Sequence, residues 1–168
     1  MPSLRFQFVL ALVVSAVLLF STPAAHADAF GKNIGLGPEL GSPTGVAMKW
    51  FFNGPHSLEA AAGVGFWDKA AFHVHGDYVY SLRVVSNKEL DMDLTPGVGP
   101  FIQFHEAGKK HGPVDLGFRV PFGLDFMVKH FAAQGAPIDF FFQIAPGARF
   151  VGGVGFYMDG GIGGRYYF

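Results

Sequence analysis

The residues of this chain that could do chemistry are spaced by two. In "HVHGD", His73, His75 and Asp77 alternate, and in an extended backbone alternate residues share one face about 6.5–7 Å apart. Imidazole nitrogen and carboxylate oxygen suit divalent metals. With one more carboxylate, from the third or fifth of the strands predicted below, the trio is a candidate metal site. A histidine pair lacking a third fixed ligand is a weak pattern, and the plainer reading puts both rings in a polar network; no cofactor is predicted. The same spacing collects Lys49, Glu59, Asp77, Arg83, Asp93, Asp115, Arg119, Asp125, Asp139, Arg149, Asp159 and Arg165 on one face of successive segments. Facing inward, acids and bases so distributed would interlock, because a buried charge must be paired or hydrogen-bonded. Nucleophilic catalysis needs a serine with a base in reach. Ser57, Ser81 and Ser86 have no suitably spaced histidine, so the chain is predicted not to be an enzyme.

These residues must be held by strands. Of 168 residues 20 are Phe and 24 are Gly, a pairing that favours strands with aromatic faces and close backbones over helices. Cysteine is absent, which excludes disulfides and thiolate metal sites. A net charge of −1 provides no basic footprint for nucleic acid. In "VDLGFRVPFGLDFMV", Leu116, Phe118, Val120, Phe122, Leu124, Phe126 and Val128 alternate with charge, glycine and proline. The same split puts Phe72, Val74, Tyr78 and Tyr80 opposite the histidines, and Phe156, Met158, Ile162, Tyr166 and Phe168 opposite Tyr157, Asp159, Arg165 and Tyr167. Eight strands are predicted, at 32–39, 44–52, 57–66, 70–85, 90–104, 114–128, 138–150 and 154–168, separated by turn signals such as "NGPH" and "SNKE". Pro96, Pro100, Pro121 and Pro146 fall inside them, each removing one ladder hydrogen bond, with Gly97, Gly99, Gly123 and Gly147 within two residues, so bulges are expected there.

At the N-terminus a lone Arg5 precedes an apolar run from Phe6 to Phe20, and Ala25-His26-Ala27 has the small-x-small pattern of a cleavage site. Residues 1–27 are therefore predicted to be a cleaved signal peptide, and 28–168 one domain. Alternation leaves two architectures: a barrel or sandwich with the apolar face inward, or a transmembrane barrel with that face outward and charge within. Four features favour the second. The strands, at up to 16 residues, exceed the usual 5–6. The polar face carries Gly, Ala and Ser among its charges, which suits a crowded interior. Aromatic residues gather toward segment ends, where interfacial girdles sit. Finally, the chain closes on the strand "GFYMDGGIGGRYYF".

A signal peptide, eight amphipathic strands and a last strand carrying Ile162, Tyr166 and Phe168 on one face resemble small bacterial outer-membrane β-barrels of the OmpA/OmpX type, and similar barrel families of unknown function. The predicted loops are shorter than the long extracellular loops such barrels often carry. The resemblance implies an all-β, eight-stranded antiparallel up-and-down transmembrane β-barrel in the bacterial outer membrane. Its lipid and lipopolysaccharide surroundings, the secretion translocon and the barrel-assembly machinery would be its partners, the last reading Ile162, Tyr166 and Phe168. Such a protein is expected to be a monomer with a lumen plugged by its charged side chains. It would contribute to envelope integrity or present a binding or adhesive surface; a lipid-modifying barrel enzyme and a small pore are the alternatives. With the C-terminus in the periplasm, the polar loop "HEAGKKHG" faces outward, where His105, Glu106, Lys109, Lys110 and His111 could touch lipopolysaccharide phosphates, an extracellular ligand or a host protein.

Overall fold

The computed structural model describes residues 31–65, 71–105, 113–129, 131 and 136–168. Ten strand segments fill most of them: β1 (Ile34–Ser42), β2 (Thr44–Asn53), β3 (His56–Gly65), β4 (Ala71–Tyr80), β5 (Leu82–Ser86), β6 (Leu90–Phe104), β7 (Val114–Arg119), β8 (Phe122–Val128), β9 (Ile138–Val151) and β10 (Gly155–Tyr167). Aromatic and β-branched residues at every second position suit a pleated surface with one face packed and the other not. Among the described residues every strand pairing is antiparallel, and the last strand pairs with the first, Leu36 opposite Tyr166 and Leu40 opposite Ile162. The strand bonding therefore runs in a ring, which leaves no long unpaired edge among the described residues.

The ten segments trace eight paths. Only Ser81 separates β4 from β5, and both keep one register against β6, with Val79 opposite Gly97 and Leu82 opposite Leu94. Val120 and Pro121 separate β7 from β8, which likewise share one register along β6. Neither interruption of the predicted strands 70–85 and 114–128 shifts the register along β6. Bulges do not follow the prolines as expected. The register shifts lie at Phe51–Asn53, Arg83–Val85 and Leu116–Gly117. Proline lacks only a donor, and its carbonyl still bonds: Pro121 accepts from Gly97 N and Pro146 from Val120 N, both at 2.8 Å. At the hairpin ends, Gly54 (φ +55°) and Gly152 (φ +81°) take the left-handed backbone that tight turns require.

The two faces are inverted relative to a protein with an oily core. Lys49 and Arg119 are 0% exposed and Arg165 is 2%, whereas Leu40 is 60% and Ile162 53% exposed. Few apolar side chains point in, and several of those are rings opposite inward glycines. A Cβ on Gly163 would lie 2.6 Å from the Phe141 ring, one on Gly117 2.4 Å from Phe101, and one on Gly35 2.7 Å from Tyr167. The glycines of the polar face thus make room for rings that fill the interior. Tyr80, expected on the outward face, is buried instead: alternation lapses where β4 ends, so Val79, Tyr80 and Ser81 are buried in succession, and the His56 ring meets Tyr80 edge-on at 5.1 Å.

Candidate functional site

The site is the buried polar interior, assembled from side chains far apart in sequence. At the end where β10 finishes, Arg165 is its centre. Its Nε and Nη2 donate to the Asp139 carboxylate of β9 at 2.7–3.2 Å, and Nη2 also reaches Asp125 of β8 at 3.1 Å. Lys49 on β2 lies 2.8 Å from Glu59 Oε1 and 2.5 Å from Asp125 Oδ2. Tyr167 donates its hydroxyl proton to Asp139 at 2.7 Å and stacks on Phe51, while the Arg165 guanidinium lies 4.4 Å from the Phe141 ring centre. Charge-assisted bonds and a cation–π contact therefore hold one block across five strands.

Arg119 on β7 is the centre of the next layer. Nη1 donates to both Asp159 oxygens at 2.9 Å and lies 3.1 Å from His75 Nδ1. Nη2 lies 3.2 Å from Asp77 Oδ2 and donates to Gln143 Oε1. Gln143 in turn donates to Glu59 at 3.3 Å, which links the two layers. Above Asp159, Tyr157 donates to its Oδ2 at 2.8 Å, accepts from Gln103 at 3.1 Å, and stacks on Phe101 with ring centres 4.1 Å apart. Ion pairs finish both rims. Asp115 meets Arg149 at 2.6 Å and His105 Nε2 at 2.9 Å where β7 begins. At the opposite rim Arg83 pairs with Asp93 and, at 2.9 Å, with Asp91, which Lys129 also holds at 2.7 Å.

All twelve residues of the predicted charge network thus point into the ring or line its rims, with Arg83 and Arg149 half-buried. The metal trio changes membership. His73 and His75 stand beside Asp159, brought from β10 by ring closure, with donor atoms mutually within 4.8 Å. Asp77 Oδ2 lies 3.2 Å from Arg119 Nη2 and 3.6 Å from His75 Nε2, but the carboxylate that gathers with both rings is Asp159, which comes from neither the third nor the fifth predicted strand. His105 belongs to the rim through Asp115; Glu106, Lys109, Lys110 and His111 lie outside the described residues, as does the predicted signal peptide 1–27. Ile162, Tyr166 and Phe168 are exposed on the apolar face, and Phe168 N donates to Ile34 O at 3.0 Å, tying the end of the chain to β1.

Sequence reasoning missed Glu39, which is 3% exposed and fills the space left by Gly161. Its signal was the alternation of Leu36, Pro38 and Leu40 with Gly35, Gly37 and Glu39, in which glycine disguises the polar face. Tyr157, Tyr167, Gln103 and Gln143 also belong to the network, and as uncharged side chains they carry no ion-pairing signal in the sequence. Compared with known protein families, curated proteins and solved structures, the chain matches none of them.

Proposed function

We propose that this chain is a monomeric, non-enzymatic eight-stranded β-barrel of the bacterial outer membrane, with a lumen plugged by its own charges. It contributes to envelope integrity or presents a small binding surface at its outer end. The observation that carries this reading is the inversion of faces, since contiguous exposed rings and aliphatic chains around a whole ring of strands need a lipid or protein covering.

Register adds a geometric argument. Following the pairing once round from Gly35, through Lys49, Glu59, Asp77, Gly99, Arg119, Gly147 and Tyr157, and extending the β1–β10 register past Ser42, returns the path to β1's line ten places along from its start. With about 3.3 Å per residue and about 4.8 Å between strands, that stagger over eight strands tilts them by roughly 40°, inside the 35–45° range of membrane barrels. A strand such as β2, at 10 residues, then rises about 25 Å along the axis, the height of an outer-membrane apolar band. Against an enzymatic role, Ser57 Oγ donates to the Val79 carbonyl at 3.5 Å. Against an open pore stands the block around Arg165, which crosses the ring.

Two measurements test this. On fractionation the protein is expected in the outer membrane, and unheated samples are expected to migrate differently from boiled ones on a denaturing gel. A soluble periplasmic protein with no mobility shift would refute the proposal. Deleting Phe168 tests the partner in biogenesis. If the assembly machinery reads the outward aromatics of β10, the truncated chain accumulates outside the membrane while the fraction that inserts unfolds much as the full chain does. Insertion at the full-length rate would remove that role.

A further inference from the structure

Nine carboxylates are buried among the described residues: Glu39, Glu59, Asp77, Asp91, Asp93, Asp115, Asp125, Asp139 and Asp159. Asp91 and Asp93 are met by Arg83 and Lys129, and Asp115 by Arg149. At the Tyr167 end, Glu59, Asp125 and Asp139 share Lys49 and Arg165. In the layer above, Glu39, Asp77 and Asp159 have Arg119 alone, and Glu39 forms no ion pair among the described residues. If all three are ionised, that layer carries two negative charges beyond its one guanidinium. Burial penalises uncompensated charge heavily, so the layer must take up protons or a cation.

A second observation selects between these. The His73 side chain is 0% exposed and its Nε2 has no hydrogen-bond partner, yet it points at Asp159 Oδ2 from 3.8 Å. That distance is too long for a hydrogen bond, but one ion at about 2.0–2.2 Å from each atom spans it. His75 offers a third donor within the same 4.8 Å cluster. An excess of two charges is what one divalent cation neutralises, and two imidazoles with one carboxylate favour a borderline transition metal over calcium or magnesium.

We propose that His73, His75 and Asp159 bind one divalent transition-metal ion, of the zinc or nickel kind, inside the ring. The site rests on ring closure, which brings β10 to face β4, and does not depend on a membrane around it. Arg119 is the group that must yield: Nη1 leaves Asp159 and His75, while Nη2 retains Asp77 and Gln143. The guanidinium therefore competes with the ion, and its removal should tighten binding.

The test is calorimetric titration of the folded full-length protein with Zn²⁺, with Ca²⁺ and Mg²⁺ as comparisons. One Zn²⁺ per chain is expected, with much weaker uptake of the other two. H73Q should weaken binding by more than the roughly 10–100-fold typical of losing an outer-shell partner, with an unchanged heat shift on the gel showing that the variant is folded. R119Q should raise the affinity, and H56Q, outside the cluster, should leave it alone. Absence of Zn²⁺ uptake by the wild type, full uptake by H73Q, or loss in H56Q would each overturn the site. If the protein proves soluble and still binds zinc through His73, the metal site stands and the outer-membrane reading falls.

Discussion

Arg165→Met is expected to lower the unfolding free energy by about 3–5 kcal/mol, the range for breaking a buried ion pair by removing one partner. Arg165 touches three carboxylates, Asp139, Asp125 and Glu59, and covers the Phe141 ring. Without it those acids share only Lys49, whose ammonium contacts Glu59 and Asp125 but is not paired with Asp139. Tyr167 would remain as the one neutral donor to Asp139. The comparison is Lys129→Met. The Lys129 side chain is 24% exposed and its partner Asp91 keeps Arg83, so its loss should stay within about 1 kcal/mol. Adding Asp139→Asn to Arg165→Met should restore part of the loss, because it removes the stranded charge as well as its partner. Urea unfolding of the folded protein in detergent or vesicles, followed by tryptophan fluorescence, measures all three against the wild type. Equal losses for Arg165→Met and Lys129→Met would mean that the interior is hydrated enough to screen its charges, and the plugged lumen would have to be given up.

The contrast between these two cations also marks what a sequence can and cannot say here. Period two identifies Arg165 and Lys49 as residents of the polar face, because side-chain direction is a local property of a strand. It does not say which acid each cation meets. Lys49 and Asp125 are 76 positions apart and meet only because the strands close into a ring. The metal trio shows the same limit: His73 and His75 share a face by local geometry, but Asp159 replaces Asp77 as their carboxylate through pairing between distant strands. Eight paths were legible because turn signals and alternation agree along the chain. The interruptions at Ser81 and Val120–Pro121 were not, since they depend on what each backbone group finds on the neighbouring strand. Alternation is also blind to which face points outward; strand length, small residues and terminal aromatics favoured the apolar face, and its exposure in the folded ring agrees with that choice.

Ile162→Arg turns that choice into a measurement. Ile162 lies outward on β10, opposite Leu40 on β1 and Phe142 on β9, which are 60% and 46% exposed on the same face. If this face meets hydrocarbon, an arginine here sits near mid-height of the band and is expected to lower stability by about 2–4 kcal/mol. Phe156→Arg places the same charge near the start of β10, where the strand reaches the rim, and there the penalty should fall to about 0–1 kcal/mol beyond the loss of the ring's own contacts. Depth dependence is what separates lipid from other coverings. Were the face bathed in water, both substitutions would stay within about 0.5 kcal/mol, as surface changes usually do. Were it covered by a partner protein, the penalty would follow the partner's footprint and disappear in vesicles holding this chain alone. Reversible unfolding of both variants in lipid vesicles reads the difference, and equal small effects at the two positions would rule out a membrane-spanning band on this face.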